Sequence, residues 1–432
     1  MQQTVFAPAT PYGGAVAIVR ISGPMSRDIL RRITGRELEA SRLSFVRIRD
    51  KGELIDEAMA VRFQAPHSYT GEDMAELHIH GGRETMKRVL SLLSSLGAAP
   101  AEGGEFTKRA FMNGKMDLTE AEAVMDVVNA EASGQLRAAL EQLGGGMRRR
   151  VERIEEPLLS ALSGLDAAID YPDEADESAY ASLHDSLTEA LRLTDELIRQ
   201  GRHGRIVRDG AKAVILGRPN AGKSSLMNAL LMSDRAIVTA TAGTTRDLIE
   251  EKLSLCGMVV RLVDTAGIRE AFGEAERMGI DRALAAASAC ELCLWVTDVS
   301  QPYVEPPKGM ECPVLVVANK CDLEPNPETA RKLRELDSVS ISVKTGEGLD
   351  ELKKRMVELM DPDPQGEAVT NERHLTALER ARADIAQALD GADDDFVATD
   401  INEALHELGS VTGRDVDAEV IDRIFSNFCV GK

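Results

Sequence analysis

The sequence predicts a multidomain α/β plus α protein, with an N-terminal α+β domain, a central helical domain and an inserted α/β domain. Three observations predict this fold class. A phosphate-binding loop lies between an apolar strand and a helix at residues 217–224. Strand and helix patterns alternate over residues 210–360, which is typical of a mostly parallel sheet. Helical apolar spacing precedes and follows that stretch, so we expect one helical domain that carries the α/β domain as an insertion.

Residues 1–115 have mixed strand and helix patterns, from which we predict the first domain. Strands are expected over 14–21, 45–49, 57–63 and 74–80, and helices over 28–34 and 84–96. His78 and His80 share one face of a strand, but no third metal ligand is evident nearby. Structural histidines are therefore favoured over a metal site.

Residues 117–209 are predicted to be helical. A first helix begins near Leu118, with Thr119 and Glu122 in the spacing of a capping box. A second helix is expected over 147–169 and a third over 181–201, joined by the acidic run 170–177, which is typical of a solvated loop. Residues 370–428 return to a helical pattern, so the helical domain is predicted to comprise residues 116–209 and 361–432.

The loop at residues 217–224 reads Gly-Arg-Pro-Asn-Ala-Gly-Lys-Ser, the G-x-x-x-x-G-K-S pattern of a P-loop. Its glycines allow backbone N–H groups to face phosphates, and the following helix adds a favourable dipole. We expect Lys223 to reach the β- and γ-phosphates and Ser224 to ligate Mg²⁺. The other nucleotide contacts expected in this loop are Asn220, Ala221, Gly222 and Ser225.

Three further elements of a guanine-nucleotide domain follow predicted strands within residues 210–360. Asp264-Thr265-Ala266-Gly267 can hold Mg²⁺ through Asp264 and can sense a γ-phosphate through the Gly267 N–H. Asn319-Lys320-Cys321-Asp322 places a carboxylate at Asp322 that can accept two N–H donors of guanine, which adenine does not offer. Ser342-Val343-Lys344 follows the last predicted strand and would form the loop behind the guanine base. The set resembles that of translation-factor-like GTPases and predicts a P-loop G domain that binds GTP.

The residue that orients the attacking water is harder to assign. Ile268 follows D-x-x-G, where Ras-like GTPases carry a glutamine, and an apolar side chain cannot orient water. Glu274 or Glu276 is a candidate for this task, although both could instead cap the helix expected over 274–289. The charge of an arginine finger must also be replaced. A monovalent cation could supply it, with oxygen ligands from Asn220 and residues 239–245.

Composition limits the other function classes. The chain has 432 residues, with 51 Lys and Arg against 72 Asp and Glu, so its net charge of −21 does not favour coating of nucleic acid. No apolar run is long enough to span a membrane, and no signal-peptide pattern begins the chain, so a cytoplasmic location is expected. Cys290 and Cys293 have no second pair at zinc-binding spacing, so structural thiols are favoured.

The whole chain resembles the MnmE (TrmE) family of tRNA-modification GTPases. Outside the G domain, the matching stretches are 65–73 with Glu76, 104–111, 118–123 and the terminal Phe428-Cys429-Val430-Gly431-Lys432. The family has F-C-I-G-K at this end, so Val430 is a departure, and His78 is another. The resemblance implies a potassium-activated GTPase in which hydrolysis drives G-domain dimerisation and a conformational change.

The resemblance also implies site residues and a one-carbon cofactor. Residues 1–115 resemble folate-binding domains of the aminomethyl-transferase type, which implies a homodimer and binding of 5-formyl- or 5,10-methylene-tetrahydrofolate. The positions that carry over are Arg20, Glu76, Lys115 and Lys432 for folate, Ser224 and Thr245 for Mg²⁺, and Asn220, Thr239, Thr241 and Thr244 for K⁺. Glu276 corresponds to the family's catalytic glutamate. A chemical role for Cys429 stays open.

The implied partner is MnmG, a protein that uses FAD and NADH, in a heterotetramer or larger assembly. The pair would place an aminomethyl or carboxymethylaminomethyl group on C5 of the wobble uridine of tRNA. An alternative is a regulatory or ribosome-assembly GTPase switch, which shares the G-domain motifs, although residues 1–115 and the FCVGK end argue against it. Basic clusters at 148–150 and 202–208 could contact tRNA or could be solvated helix ends.

Overall fold

The computed structural model describes residues 3–170, 177–234, 250–264, 290–360, 371–391 and 393–432. The chain divides into two compact units. The first comprises Met1–Met125, Gln142–Glu152 and Leu405–Lys432, and the second comprises Asp126–Glu141 and Arg153–Ala404. The three-domain division into 1–115, 116–209 with 361–432, and 210–360 stays a prediction.

The first unit is built on a six-stranded sheet. Its strands are β1 (Val5–Pro8), β2 (Val16–Ser22), β3 (Ser44–Asp50), β4 (Glu53–Phe63), β5 (Met74–His80) and β6 (Ala99–Pro100), in the order β3-β4-β5-β2-β1-β6. Every pairing is antiparallel except β1 with β6. Helices α1 (Ser26–Thr34) and α2 (Arg83–Ser95) contact the sheet. The four strands and two helices predicted from the sequence are confirmed.

Alternating side chains of the first sheet explain its two faces. On β5, Ala75, Leu77 and Ile79 are buried in the core with side chains of α1 and α2, whereas Glu76 and His78 between them are only half-buried. This period of two is the reason that the strand could be predicted. The same alternation leaves the polar residues of β5 on the opposite face, where Arg20 of β2 pairs with Glu76.

Helices α3 (Glu105–Met112) and α4 (Leu118–Asn129) follow the sheet, and α13 (Ala418–Ser426) ends the helical part of the chain. The predicted capping pair of α4 is wrong by two residues. Asp117 accepts a hydrogen bond from the Glu120 N–H at 2.8 Å, and Glu120 accepts one from the Asp117 N–H at 2.7 Å. Thr119 is fully buried and donates its hydroxyl proton to Asp117 at 2.7 Å, so it belongs to the helix rather than to its cap.

The second unit contains a six-stranded sheet in the order β12-β11-β10-β7-β9-β8. Its strands are β7 (Ala211–Gly217), β8 (Glu250–Leu255), β9 (Met258–Asp264), β10 (Leu292–Asp298), β11 (Val314–Asn319) and β12 (Ser338–Ile341). All pairings are parallel except β8 with β9. The helices among them are α8 (Lys223–Asp234), α9 (Pro327–Glu335) and α10 (Leu349–Met360). The predicted alternation is confirmed, and the helix expected over 274–289 lies outside the described residues.

The remaining helices are α5 (Ser133–Leu143), α6 (Gly146–Asp170), α7 (Glu177–Asp209), α11 (Glu372–Asp390) and α12 (Asp394–Thr412). Sequence reasoning did not identify α5, whose apolar residues Leu136 and Leu140 are exposed rather than buried. The acidic run 171–176 lies outside the described residues. None of the helices in the described ranges is long and apolar enough to cross a membrane.

Gly164 in the middle of α6 offers a test of helix stability. It is exposed, and a Cβ built on it would have no neighbouring heavy atom within 4 Å. Gly164→Ala is expected to raise the free energy of unfolding by about 0.5–1 kcal/mol, because alanine loses less backbone entropy in a helix. Urea unfolding followed by circular dichroism measures the change. Gly222→Ala is a control with the opposite expected effect. A Cβ there overlaps the Asn319 side chain, so this variant should lower the free energy of unfolding. A lower urea midpoint for Gly164→Ala would contradict the prediction.

Candidate functional site

The P-loop connects the end of β7 to the start of α8 at one edge of the second sheet. Gly217 and Gly222 have φ angles of 143° and 96°, in the region that favours glycine. A Cβ at Gly217 would overlap the Val296 carbonyl of β10, and a Cβ at Gly222 would overlap the Asn319 amide. Glycine is therefore required at both positions, because Gly217 lies beside the β10 backbone and Gly222 lies against the Asn319 side chain.

Lys223 lies over the loop that it follows. Its Nζ donates hydrogen bonds to the carbonyl oxygens of Gly217 at 3.0 Å and Arg218 at 2.8 Å. Phosphate oxygens are stronger acceptors than these carbonyls and could replace them. Ser224 and Ser225 are exposed in the first turn of α8, so their hydroxyls are accessible to a ligand and its ion.

Asn319 joins two of the predicted nucleotide elements. Its buried side chain donates through Nδ2 to the Ala221 carbonyl at 2.9 Å. Its Oδ1 accepts hydrogen bonds from the N–H groups of Lys320 at 2.8 Å and Val343 at 3.4 Å. One amide side chain thus holds the P-loop and the 342–344 loop in register, a structural task that its position at the end of β11 did not reveal.

Lys320 connects the same loop to a residue that sequence reasoning missed. Its Nζ donates to the Asn220 carbonyl at 3.1 Å and forms an ion pair with Asp298 at 2.6 Å. Burial raises the pKa of Asp298, but hydrogen bonds from Lys320 and Ser300 outweigh it, so the pKa is lowered and the carboxylate stays ionised. The available signal was its position, because Asp298 ends β10 directly opposite Asn319 on β11.

Asp322 presents an ionised carboxylate beside this cluster. The Ser342 hydroxyl donates to Asp322 Oδ1 at 2.7 Å, and this hydrogen bond is the main reason that the carboxyl pKa is lowered. Asp322 is exposed, so its oxygens can accept hydrogen bonds from further donors. Lys344, two residues after Ser342, is also exposed. Two N–H donors at the edge of a guanine base would match such an acceptor.

The structure brings together Asn220, Ala221, Gly222, Lys223, Asn319, Lys320, Asp322 and Ser342 at the carboxyl ends of parallel strands. This is the edge at which ligands bind in open α/β sheets. Asp264 ends β9, although its side chain is not described. The other predicted residues lie outside the described residues: Thr239, Thr241, Thr244, Thr245, Thr265, Ala266, Gly267, Glu274 and Glu276.

A second polar cluster occurs in the first unit around Arg20. Arg20 of β2 and Glu76 of β5 face each other across the sheet and form an ion pair at 3.1 Å. The guanidinium lies over the rings of Tyr69 and Phe106, with its carbon 5.0 and 5.5 Å from the ring centroids. This planar, aromatic-lined and partly exposed arginine can stack or form charge-assisted hydrogen bonds with an anionic ligand.

The C-terminal tail passes beside this cluster. The Gly431 carbonyl accepts a hydrogen bond from Arg20 at 3.4 Å, and the Lys432 carbonyl accepts one from the Phe106 N–H at 3.2 Å. Gly431 has a φ of 99°, and a Cβ there would overlap the Pro8 carbonyl, so glycine allows the tail to approach β1. Residues from opposite ends of the chain therefore meet at one place.

The structure places Lys115 against a different part of the first unit. Its Nζ donates to the Pro66 carbonyl at 3.1 Å, and a Cβ at Gly71 would lie 3.1 Å from its side chain. The 65–73 loop that Lys115 contacts also carries Tyr69. Arg20 thus contacts both Glu76 and the tail, whereas Lys115 is connected to this cluster through the 65–73 loop.

Sequence reasoning missed several residues that build the Arg20 cluster. Tyr69 shares a 2.8 Å hydrogen bond with Thr107, and burial raises the pKa of its phenol. Arg109 and Glu72 form a buried ion pair at 3.0 Å. All four lie in the stretches 65–73 and 104–111, so the matching segments themselves were the signal, but nothing in them indicated which side chains meet.

His80 has a carboxylate partner, and Cys293 lies among other thiols. His80 is exposed and contacts Asp56 at 2.7 Å, and Asp56 also accepts from the His80 N–H at 2.8 Å. Burial, together with Cys312 and Cys290, raises the pKa of the buried Cys293 thiol to about 12, so it is not a nucleophile at neutral pH. Cys429 is exposed near the C-terminal end. In the part of the chain that the structure describes, no group of three or more His, Cys, Asp or Glu could hold a metal ion.

Comparison with known proteins decides the family. A family model described as "GTP-binding protein TrmE N-terminus" matches residues 4–115, and one described as "MnmE helical domain" matches residues 118–429. A tRNA modification GTPase MnmE from Thermus thermophilus is 41% identical, with 100% of each chain covered. The chain belongs to the MnmE family of tRNA modification GTPases. A second MnmE, from Akkermansia muciniphila, is also 41% identical over 100% of this chain and 99% of its own length.

As an MnmE-family member, the chain is a GTP-hydrolysing enzyme. The resemblance derived from the sequence is therefore confirmed, as is the fold class with its TrmE-type N-terminal region, helical region and G domain. Among solved structures, the G domain of the T. maritima FeoB iron transporter is 24% identical over 34% of this chain and 98% of its own, with a TM-score of 0.25.

Proposed function

We propose that this MnmE-family chain is a potassium-activated GTPase that works with MnmG on tRNA. Together they would add an aminomethyl or carboxymethylaminomethyl group to C5 of the wobble uridine, using a tetrahydrofolate one-carbon unit. The observation that carries the nucleotide part is the convergence of Lys223, Asn319 and Asp322 on one edge of the second sheet. The folate part rests on the Arg20 cluster.

In this proposal, different residues bind different parts of the nucleotide. The P-loop amides and Lys223 bind the phosphates, and Asp322, held by Ser342, accepts the guanine N–H groups. Ser224, Thr245 and Asp264 would hold Mg²⁺, which supplies charge stabilisation to the transferring phosphoryl group. The exposed Ser224 hydroxyl at the start of α8 fits this task. Thr265, Ala266, Gly267 and Lys344 complete the proposed nucleotide contacts, and Glu276 would orient the attacking water.

Asn220 is the described residue of the proposed potassium site. It has a φ of 62°, and Lys320 holds its backbone carbonyl at 3.1 Å. Its side chain is exposed in the loop. The Lys320 contact would thus fix the residue that offers one oxygen to K⁺, while Thr239, Thr241 and Thr244 would offer the others. The ion would supply positive charge where an arginine finger does in other GTPases.

The proposed folate site uses Arg20, Glu76, Lys115 and Lys432. Folates carry glutamate carboxylates and an aromatic ring system, for which a guanidinium over two aromatic rings is a suitable partner. The Arg20 cluster has this composition, and the C-terminal tail brings Lys432 beside it. Cys429, which is exposed three residues from the end, lies on the same tail.

We also propose a homodimer formed through residues 1–115, association with MnmG and binding of tRNA. The two basic clusters give little support to a tRNA contact of their own. Arg148 is paired with Asp117 at 3.3 Å and Glu120 at 2.8 Å, and Arg208 is paired with Asp126 at 3.4 Å. These pairs favour the helix-end interpretation. Residues 1–115 hold slightly more Lys and Arg than Asp and Glu, unlike the strongly acidic remainder.

The potassium proposal predicts a specific salt effect. GTP hydrolysis by the purified full-length protein is expected to be faster in K⁺ than in Na⁺ at equal ionic strength by at least about tenfold, because a cation of the wrong size cannot replace the arginine-finger charge. Initial rates of phosphate release measure it. Asn220→Ala should remove the difference between the salts. Equal slow rates in both salts would reject the cation site and favour an ordinary regulatory switch.

The folate proposal predicts a loss of binding when Arg20 is removed. Arg20→Ala is expected to weaken binding of 5-formyl-tetrahydrofolate by roughly 10- to 100-fold, the cost of one or two charge-assisted hydrogen bonds. Isothermal titration with the full chain measures the affinity. Arg27→Ala is the matched control, because Arg27 forms an exposed ion pair with Glu37 at 2.8 Å in the same unit. Unchanged affinity in Arg20→Ala would remove this residue from the site.

A further inference from the structure

The β8–β9 hairpin connects the two stretches that are proposed to respond to the γ-phosphate. Strand β8 begins at Glu250, shortly after Thr244 and Thr245, and β9 ends at Asp264. Cys256 and Gly257 form the turn, with φ angles of 49° and 90°. Positive φ at both positions is typical of a type I′ turn, which gives a tightly twisted and rigid hairpin.

The turn is held at its far end by the start of α5. The Gly134 N–H donates to the Gly257 carbonyl at 2.9 Å. A Cβ at Gly134 would lie 2.7 Å from that carbonyl oxygen, and a Cβ at Gly257 would lie 2.8 Å from the Ser133 hydroxyl. Two backbones therefore approach each other more closely than any side chain allows. Such close packing transmits a displacement rather than absorbing it.

An ion pair from β8 of the hairpin to the same segment supports this contact. Lys252 Nζ lies 2.9 and 3.0 Å from the two carboxylate oxygens of Glu131, and both side chains are about 30% exposed. The segment that carries Glu131 is itself braced. Gln135 accepts hydrogen bonds from the N–H groups of Glu131 and Ala132, and its amide donates to the Arg208 carbonyl at 2.8 Å.

The hairpin connects the contact at its turn to the end of the sheet that carries the P-loop. Strand β9 has 7 residues, so at about 3.4 Å per residue the turn lies roughly 20 Å from Asp264. β9 is bound along its length to β7, which leads directly into the P-loop. Because β9 runs unbroken from this turn to Asp264, the position of the turn constrains the backbone position of Asp264.

We propose that the contact of Glu131 and Gly134 with the β8–β9 hairpin is a positioning device for GTP hydrolysis. It constrains strand β9, which ends at Asp264, and it acts through that strand rather than by contacting the nucleotide. Exposed ion pairs contribute little to stability. A change in the Lys252–Glu131 pair should therefore alter the rate of the chemical step far more than it alters folding or ground-state nucleotide binding.

A charge-swap series tests the proposal in the full-length protein. Glu131→Lys and Lys252→Glu each place like charges in contact and are expected to lower kcat about tenfold, since small misplacements of catalytic groups are costly. KM for GTP and the affinity for GDP should stay within about twofold. The double variant, with the charges exchanged, should recover kcat to within about twofold of the original protein.

Two controls separate positioning from general damage. Arg192→Glu reverses an exposed ion pair of similar geometry on α7, where Arg192 contacts Glu189 at 2.7 Å, and should leave kcat unchanged. Thermal unfolding of every variant reports folding, and Lys252→Met, which removes the charge without repulsion, replaces any single variant that unfolds. Unchanged kcat in the single variants, or a double variant that stays as slow as they are, would overturn the proposal.

Discussion

Glu276→Ala is expected to lower kcat for GTP hydrolysis by about 10²- to 10⁴-fold, the usual contribution of a positioned general base or water-orienting group. GTP affinity should stay within about threefold, because the proposed role is exercised on the attacking water rather than on the bound nucleotide. The physical reason lies in the sequence. Ile268 stands where other GTPases carry a water-orienting glutamine, so the task must fall to another side chain.

Single-turnover hydrolysis and binding of a fluorescent GTP analogue measure the two quantities separately. Glu274→Ala is the matched control, since it removes the same charge two residues earlier and is expected to change kcat by no more than about threefold. Glu276→Gln tests whether the charge is required or only an oxygen acceptor. Normal turnover in Glu276→Ala would reject the assignment and transfer attention to Glu274.

Asp322→Asn is expected to weaken GTP binding by roughly 10²- to 10⁴-fold, which corresponds to two charge-assisted hydrogen bonds of about 1.5–3 kcal/mol each. The variant should bind a xanthine nucleotide better than the original protein does, because xanthine has a carbonyl where guanine has an amino group and the asparagine amide can donate to it. This exchange of preference distinguishes a base-reading residue from a residue that only stabilises the loop.

Equilibrium binding of GDP and xanthosine diphosphate to both proteins measures the preference. Ser342→Ala provides a graded control. It removes the 2.7 Å hydrogen bond to Asp322 and leaves the carboxylate, so a loss of only about three- to tenfold in GDP affinity is expected. It should also raise the Asp322 pKa toward its ordinary value. Unchanged guanine affinity in Asp322→Asn would show that the base is recognised elsewhere.

Elements with a local signature were predicted correctly from the sequence. The P-loop could be read because a run of eight residues specifies its own backbone, with glycine at 217 and 222 where φ is positive. All six strands of the second sheet and four of the six in the first could be read from apolar alternation or short apolar runs, whereas β1 and the two-residue β6 were not predicted. Helix α5 was missed although its Leu136, Leu140 and Leu143 recur at helical spacing.

Contacts between residues that are distant in sequence could not be predicted from any such local pattern. Arg20 contacts Gly431 across 411 positions, and Lys320 contacts Asn220 across 100 positions. A side chain's sequence neighbours do not indicate which distant strand end or loop will lie beside it, because that depends on how layers pack. Asp298 illustrates the limit, since it was an unremarked acid at the end of a strand until β10 and β11 were aligned.

By itself, the sequence determined which chemistry the chain carries. Contiguous motifs specify phosphate and guanine recognition because their backbone geometry and donor groups are local. Only the tertiary structure decided how those groups are held: Asn319 bridging two loops, Lys320 bracing Asn220, the C-terminal tail reaching Arg20, and Gly134 meeting Gly257. The physical reason is that local steric preferences determine the conformation of short segments, whereas packing and burial determine which distant segments meet.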